Sequence, residues 1–247
     1  MPSYLAYANI HQPFPFEQMP LEIVPEKLRS PVTGNPRVQQ RQQARRLAHF
    51  LLWQLLKKVE QNDSQKTFLK WPALLTQIER TASGRPYFPA QNIDFNISHS
   101  GDWVTVLLQV NEINEKAAVG VDIEVGKIRN FSALMDYFAP PAEVAWFAAQ
   151  KDLSAAFYRC WCLREAVLKS QGVGIVKLSE VDHRPTAQQI FSAYCPTGSL
   201  LFSAALPFYL AAFVNQTQPN WQFYQWNGHQ LEAQNLPNSI VYQVNPK

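Results

Sequence analysis

Gly120-Val121-Asp122-Ile123-Glu124 reads as a β-strand whose two faces do different work. Alternate side chains of a strand share a face. Asp122 and Glu124 therefore project together, while Val121 and Ile123 enter a core. Two carboxylates on one face repel unless something positive sits between them. A hard divalent cation suits that place, because Mg2+ takes oxygen ligands and uses one or two carboxylates plus phosphate oxygens. Taken alone, the pentapeptide reads better as a plain strand with two solvated acids, so its neighbours must decide.

Downstream, Trp161-Cys162-Leu163-Arg164-Glu165-Ala166-Val167-Leu168-Lys169 lies in a helix expected from Ser154 to Gln171, ended by Gly172 and Gly174. Glu165 and Lys169 are four apart and share a face. Alone they make an ordinary ion pair of roughly 0.2–0.5 kcal/mol. Beside the strand, they read as a third acid and a phosphate-binding cation. Upstream, Phe95-Asn96-Ile97-Ser98-His99-Ser100-Gly101 puts His99 where a strand meets a turn. A histidine there is often structural, yet it can donate a hydrogen bond to phosphate and gain charge beside one.

Gly84-Arg85-Pro86, Asn96–Ser100, Gly120–Glu124 and Trp161–Lys169 follow one another in that order. This series resembles the Sfp-type 4'-phosphopantetheinyl transferases. Their pattern is Gly-Lys-Pro, Asn-hydrophobic-Ser-His-Ser, Gly-hydrophobic-Asp-hydrophobic-Glu, then Trp-x-x-Lys-Glu-Ala/Ser-x-x-Lys. The resemblance is firm from Ser83 to Gly174 and weaker elsewhere. Each motif is modestly specific; four in register are highly specific.

The resemblance implies an enzyme that moves the phosphopantetheine arm of coenzyme A to a serine of an apo acyl or peptidyl carrier protein, releasing 3',5'-ADP. Asp122, Glu124 and Glu165 would hold Mg2+ against the pyrophosphate. Glu165 would also take the serine proton, with Lys169 and His99 as catalytic partners. Ser98, His99, Arg46, Arg85, Arg164 and Lys169 would bind coenzyme A. Arg46 would meet the 3'-phosphate, with Arg45 as the neighbouring alternative. Arg85 and Arg164 stand where lysine is usual. Arginine keeps the charge but is bulkier, bidentate and no proton donor. The implied fold is α+β, with two similar lobes in one chain, residues 1–115 and 116–247, and the active site in the cleft between them. The implied setting is a cytoplasmic monomer that serves an acidic carrier of fatty acid, polyketide or nonribosomal peptide synthesis. A metal-dependent phosphohydrolase acting on coenzyme A, and a non-catalytic binding module, are the competing readings.

Bulk properties agree with a globular protein. Of 247 residues, 47% are hydrophobic and 17% charged, enough apolar surface for a real core. No run approaches the roughly 20 apolar residues of a membrane helix, and no secretory signal is visible. A net charge of +3 suits an anionic ligand or acidic partner but is too small to argue for nucleic acid. Three cysteines, Cys160, Cys162 and Cys195, make no disulfide framework and read as free thiols.

Elsewhere, short strands and loops are expected to Pro36. A helix follows from Val38 to Val59, with Leu47, Ala48, Leu51, Leu52, Leu55 and Leu56 as its apolar stripe and Arg37, Arg41, Arg45 and Arg46 in its first half. A polar loop is expected over 61–66, and a shorter helix from Trp71 to Thr81. Strands are expected at 95–99, 103–110 and 118–124, and two helices after them, the first over 141–150. Antiparallel strands are expected at 200–206, 209–215, 221–226 and 240–244. Residues 95–108 and 202–214 echo each other as strand pairs.

Overall fold

The structure is a computed structural model and describes residues 2–62 and 71–247. The polar loop expected at 61–66 lies outside the described residues from position 63 onward; Gln61 and Asn62 close the preceding helix. The helices are α1 (Glu26–Arg29), α2 (Pro36–Asn62), α3 (Phe131–Phe138), α4 (Pro141–Ala148) and α5 (Leu153–Lys169). The early strands are β1 (Pro2–Asn9), β2 (Glu79–Arg80), β3 (Pro86–Tyr87), β4 (Ile93–Ser100), β5 (Trp103–Val110) and β6 (Val119–Glu124). The later ones are β7 (Asp182–Arg184), β8 (Gln189–Phe191), β9 (Gly198–Ser203), β10 (Tyr209–Val214), β11 (Asn220–Trp226), β12 (Leu231–Gln234) and β13 (Ile240–Val244).

Two sheets organise this mixed α+β chain. One runs β12-β11-β1-β5-β4 and the other β6-β10-β9-β13-β8-β7. The apolar stripe of α2, including Leu47, Leu51 and Leu55, is buried in a core with Ala6, Phe95, Val106 and Trp226 of the first sheet. On the second sheet, Leu163, Ala166 and Val167 of α5 share a core with Leu200, Ala211 and Tyr242. A third cluster joins Leu5 and Leu107 to Val119, Val121, Ile123 and Leu210, and so fills the space between the sheets. Val121 and Ile123 thus enter a core, as the alternation of the pentapeptide requires.

Strands β4 and β6 are edges of different sheets, and side chains join them. Asp94, Asn96, Ser98 and Ser100 accept the backbone N–H groups of Val119, Val121, Ile123 and Val125 at 2.9–3.2 Å. An open sheet edge is a row of unpaired N–H groups that must be covered. Here every second residue of β4 covers one, which accounts for the polar alternation of 94–100.

Several expectations change in the folded chain. Residues 71–77 form a 3-10 helix that stops short of Thr81, because Glu79 and Arg80 pair with Tyr87 and Pro86 instead. Three α-helices, not two, follow β6. The unforeseen one, α3, is capped by Asn130, whose side chain accepts from Ala133 N–H at 3.2 Å; that asparagine was a readable start signal. Residues 220–226 form a strand, but it runs parallel to β1, with Pro2 opposite Asn220 and Leu5 opposite Phe223. The C-terminal segment 220–234 therefore completes the sheet that begins at residue 2. Alternation reveals a strand but neither its partner nor its direction. The echoing stretches do form two antiparallel pairs, β4–β5 and β9–β10.

Candidate active site

Gly120 explains how helix and strand meet. A Cβ on Gly120 would lie 1.9 Å from the Ala166 carbonyl oxygen and 2.8 Å from the Ser170 nitrogen. Only a residue without a side chain lets the last turns of α5 rest on β6 this closely. The contact brings Glu165 and Lys169 alongside the acids of β6.

Asp122 lies at the centre of the site and is buried. Its Oδ1 accepts from Lys169 Nζ at 2.5 Å and from Ser98 Oγ at 3.2 Å. Lys169 Nζ also donates to Ser98 Oγ at 3.0 Å. One residue pair further on, Ser100 Oγ donates to Glu124 Oε2 at 2.8 Å. Burial first, then the nearby Asp122 charge, pushes Glu165 up to about 7. Burial is also the main cause that raises Glu124, with Asp122 adding to it and Ser100, Arg129 and Lys169 opposing. Burial works against the Lys169 ammonium, but Asp122 and Glu165 outweigh it and raise the pKa. The carboxylates exceed the cations at hand, and two of them are held only by paying in proton affinity.

This environment fits a divalent cation. Asp122 Oδ2 is buried with no N–H or O–H donor on it, and only the Cys162 thiol, a weak donor, beside the carboxylate; such an oxygen is costly unless something positive meets it. All three candidates offer hard oxygen donors of the kind Mg2+ takes. The candidate ligand atoms that approach within 4.8 Å of one another belong, among the described residues, to Glu143, Cys160 and His183 rather than to these acids.

That other trio is a structural cluster. Arg164 reaches both Glu143 oxygens, Oε1 at 2.8 Å, and donates to the Cys160 and Leu178 carbonyls. His183 Nδ1 lies 2.6 Å from Glu143 Oε1. A guanidinium already neutralises this carboxylate, and the mixed sulfur, nitrogen and oxygen set does not suit Mg2+. Arg164, expected to bind coenzyme A, is therefore a core residue with no exposed side chain. It sits on the far side of α5 because residue 164 cannot share the face of 165 and 169 while that face meets β6.

The cluster makes stability sensitive to acid. Burial would raise Glu143, but hydrogen bonds from His183 and Arg164 overcome it and hold the pKa at about 2, below the ordinary 4.5. A depressed carboxylate contributes stability above pH 4.5 and loses it as pH falls toward 2. Burial also lowers His183, so below about pH 6.5 the unfolded chain takes up a proton that the folded one resists. Glu143→Gln is expected to cost about 3 kcal/mol at pH 7, the value of the Glu143 shift at 1.36 kcal/mol per unit. The gap should close as pH drops below 4.5. Urea midpoints from pH 3 to 8 measure this, and a constant gap would contradict an ionised Glu143.

Two more expected ligands are already engaged. Arg85 Nη2 pairs with Asp94 at 2.6 Å, and its Nε donates to the Lys169 carbonyl at 3.0 Å. It ties β3 to α5 and, through Val119 O at 3.1 Å, to β6. Arg46 donates to the Leu28 and Ser30 carbonyls at 3.1 and 2.6 Å and packs over the Phe16 ring. It braces the 16–30 segment. Arg45 and Arg41 are exposed instead, and His99 is lowered first by partial desolvation of its ring and then by the charges of Lys169, Arg45 and Arg41. Gln40 of α2 donates to Asp102 Oδ1 at 2.7 Å, which anchors that arginine-bearing end of α2 to the β4–β5 turn. Gly101 in that turn has φ +55°, a conformation that glycine adopts without strain. Ser100, Arg41 and Arg129 are the neighbours that sequence reading missed. The Ser-His-Ser end of the β4 motif was a signal for the first, and the four-residue spacing of Arg41 and Arg45 on α2 for the second; nothing in the sequence signalled Arg129.

Comparison with known proteins agrees with this picture. Residues 118–231 match the 4'-phosphopantetheinyl transferase superfamily. Over 245 residues, 99% of this chain and 100% of the relative, the sequence is 56% identical to a Haemophilus influenzae protein provisionally named a 4'-phosphopantetheinyl transferase. It is 33% identical over 132 residues, 51% of this chain and 66% of the relative, to the 4'-phosphopantetheinyl transferase AcpT of Salmonella typhi. A Bacillus subtilis 4'-phosphopantetheinyl transferase is 31% identical over 94 residues, 37% of this chain and 39% of its own length. With motifs and full-length similarity in agreement, the chain belongs to the 4'-phosphopantetheinyl transferase superfamily.

Proposed function

We propose that Asp122, Glu124, Glu165, Lys169, Ser98 and His99 form the site at which this transferase moves the 4'-phosphopantetheine arm of coenzyme A to a serine of an apo carrier protein, with Mg2+ as the metal. The single observation that carries the residue assignment is the buried Asp122, with Lys169 and Ser98 on one oxygen and no N–H or O–H donor on the other. The site belongs to the cleft of a two-lobed chain, with the lobes divided near residues 115 and 116 and the segment 220–234 returning to the first sheet.

In the reaction a serine Oγ–phosphorus bond forms, the phosphorus–oxygen bond to 3',5'-ADP breaks, and the serine proton must leave. Asp122, Glu124 and Glu165 would hold Mg2+, which supplies positive charge to the pyrophosphate oxygens when bound. Glu165 is the proton acceptor. In the metal-free site burial and then the Asp122 charge raise it to about 7, so it holds a proton more strongly than an ordinary glutamate; a bound cation would lower that value and keep the carboxylate ionised. Lys169, kept protonated by Asp122 and Glu165, meets charge that grows on the phosphoryl oxygens. His99, with Arg45 and Arg41 beside it, binds phosphate further along coenzyme A; Arg45 takes the role first expected of Arg46. The burial of Asp122, Ser98 and Glu165 fixes their positions before substrate arrives, a gain in orientation.

The carrier is acidic in this reading. Exposed Arg37, Arg41 and Arg45 on α2 would steer it, an effect that weakens with salt. The enzyme works as a cytoplasmic monomer. Among the described residues, no helix is long and apolar enough to cross a membrane.

Incubated with an apo-carrier, coenzyme A and Mg2+, the protein is expected to raise the carrier mass by about 340 Da, the size of the transferred group. A panel of carriers scored by intact mass identifies the one served. Release of 3',5'-ADP without any carrier would favour a phosphohydrolase. No mass change across the panel would refute transfer.

A further inference from the structure

We propose that Ser100 is a positioning residue for Glu124, and that it makes metal affinity depend on the seam between the two sheets. The proposal rests on the metal reading given above. Of the four β4 side chains in that seam, Asp94 and Asn96 cover only backbone N–H groups of β6 on the β6 side. Ser98 and Ser100 do more. Each hydroxyl accepts an N–H of β6 with its oxygen and donates its hydrogen to the neighbouring acid. Ser98 links Ile123 N–H to Asp122, and Ser100 links Val125 N–H, at 3.1 Å, to Glu124.

The two serines differ in one respect. Ser98 shares Asp122 with Lys169, so that acid has a second anchor. Glu124 has only the Ser100 hydroxyl among its side-chain hydrogen bonds in the described residues. Glu124 is the last residue of β6, and its long side chain has more rotamer freedom than an aspartate. The Ser100 hydroxyl selects one carboxylate orientation. It keeps Oε2 occupied and leaves Oε1 for a ligand. Because the same oxygen is pinned by Val125 N–H, any slip of β4 against β6 would turn Glu124 as well.

Outer hydrogen bonds of this kind are worth about 10–100-fold in metal affinity. Ser100→Ala keeps three of the four seam contacts, so it is expected to fold. The expected result is an Mg2+ dissociation constant about 10-fold weaker than wild type, measured by calorimetry with coenzyme A present and no carrier. At saturating Mg2+ the transfer rate should recover most of its value, a split that general loosening would not give. Ser100→Cys fills the same space with a poor donor and should weaken Mg2+ similarly. Ser100→Thr retains the hydroxyl and should restore binding. Wild-type affinity in either Ser100→Ala or Ser100→Cys overturns the proposal alone. A wild-type protein that binds no Mg2+ with coenzyme A overturns the metal reading and this proposal together.

Discussion

Asp122→Asn is expected to lower carrier modification by about 10³-fold, the upper range for removing one preorganised charged group. Three consequences combine. The buried Oδ2 that suits a cation becomes part of a neutral amide. Lys169 loses its closest carboxylate, now 2.5 Å away. Ser98 keeps a hydrogen-bond partner, so the seam survives and the protein should fold. The variant also separates charge from shape, because asparagine has nearly the same size. A second readout checks the electrostatics. Burial is the first cause that raises Glu165 to about 7, and Asp122 is the second. Removing that charge should lower the Glu165 pKa, visible by carboxyl NMR titration of the metal-free protein. The mass-shift assay measures the rate. Turnover near that of wild type would remove Asp122 from the site.

Gly120→Ala is expected to damage both stability and rate without touching any reacting group. The new Cβ would lie 1.9 Å from a backbone oxygen and 2.8 Å from a backbone nitrogen. Backbone has no rotamer to escape into, so the end of α5 must move by about 1 Å or more to reach ordinary contact. Overpacking of this kind costs about 1–3 kcal/mol, occasionally more. The same shift carries Glu165 and Lys169 away from Asp122, and about 1 Å of misplacement can cost 10²-fold in rate. Gly174→Ala is the control: a Cβ there meets nothing within 4 Å, and its φ needs no glycine. Thermal melts and transfer assays at a temperature where both variants are folded test the pair. A Gly120→Ala protein as stable and active as the Gly174→Ala control would contradict the close packing of α5 on β6.

Both experiments start from five residues, and they separate what was legible from what was not. The alternation of Gly120–Glu124 placed Val121 and Ile123 in a core and the acids on the other face. The apolar spacing of α2 and α5 located both long helices to within a few residues. These patterns survive folding because they arise from the local repeat of strand and helix. The order of four motifs identified the family before any contact was known. Local pattern was weaker where partners lie far apart. Residues 221–226 read as a strand, but the parallel pairing with β1 depends on a contact across more than two hundred residues.

The composition of the site itself was divided in the same way. Sequence alone determined which residue types were available: three acids, Lys169, His99 and a set of arginines. Tertiary structure decided which charges were free. Arg164 is held by Glu143 with no exposed side chain, Arg85 by Asp94, and Arg46 by two carbonyls, so each already has acceptors of its own. Arg45 and Arg41 lie near His99 instead. A guanidinium looks the same in any sequence; its role follows from which acceptors the fold brings within about 3 Å of it. Gly120 and Ser100 gained their roles for the same reason, since close approach of a helix and capture of a carboxylate exist only once separate segments meet.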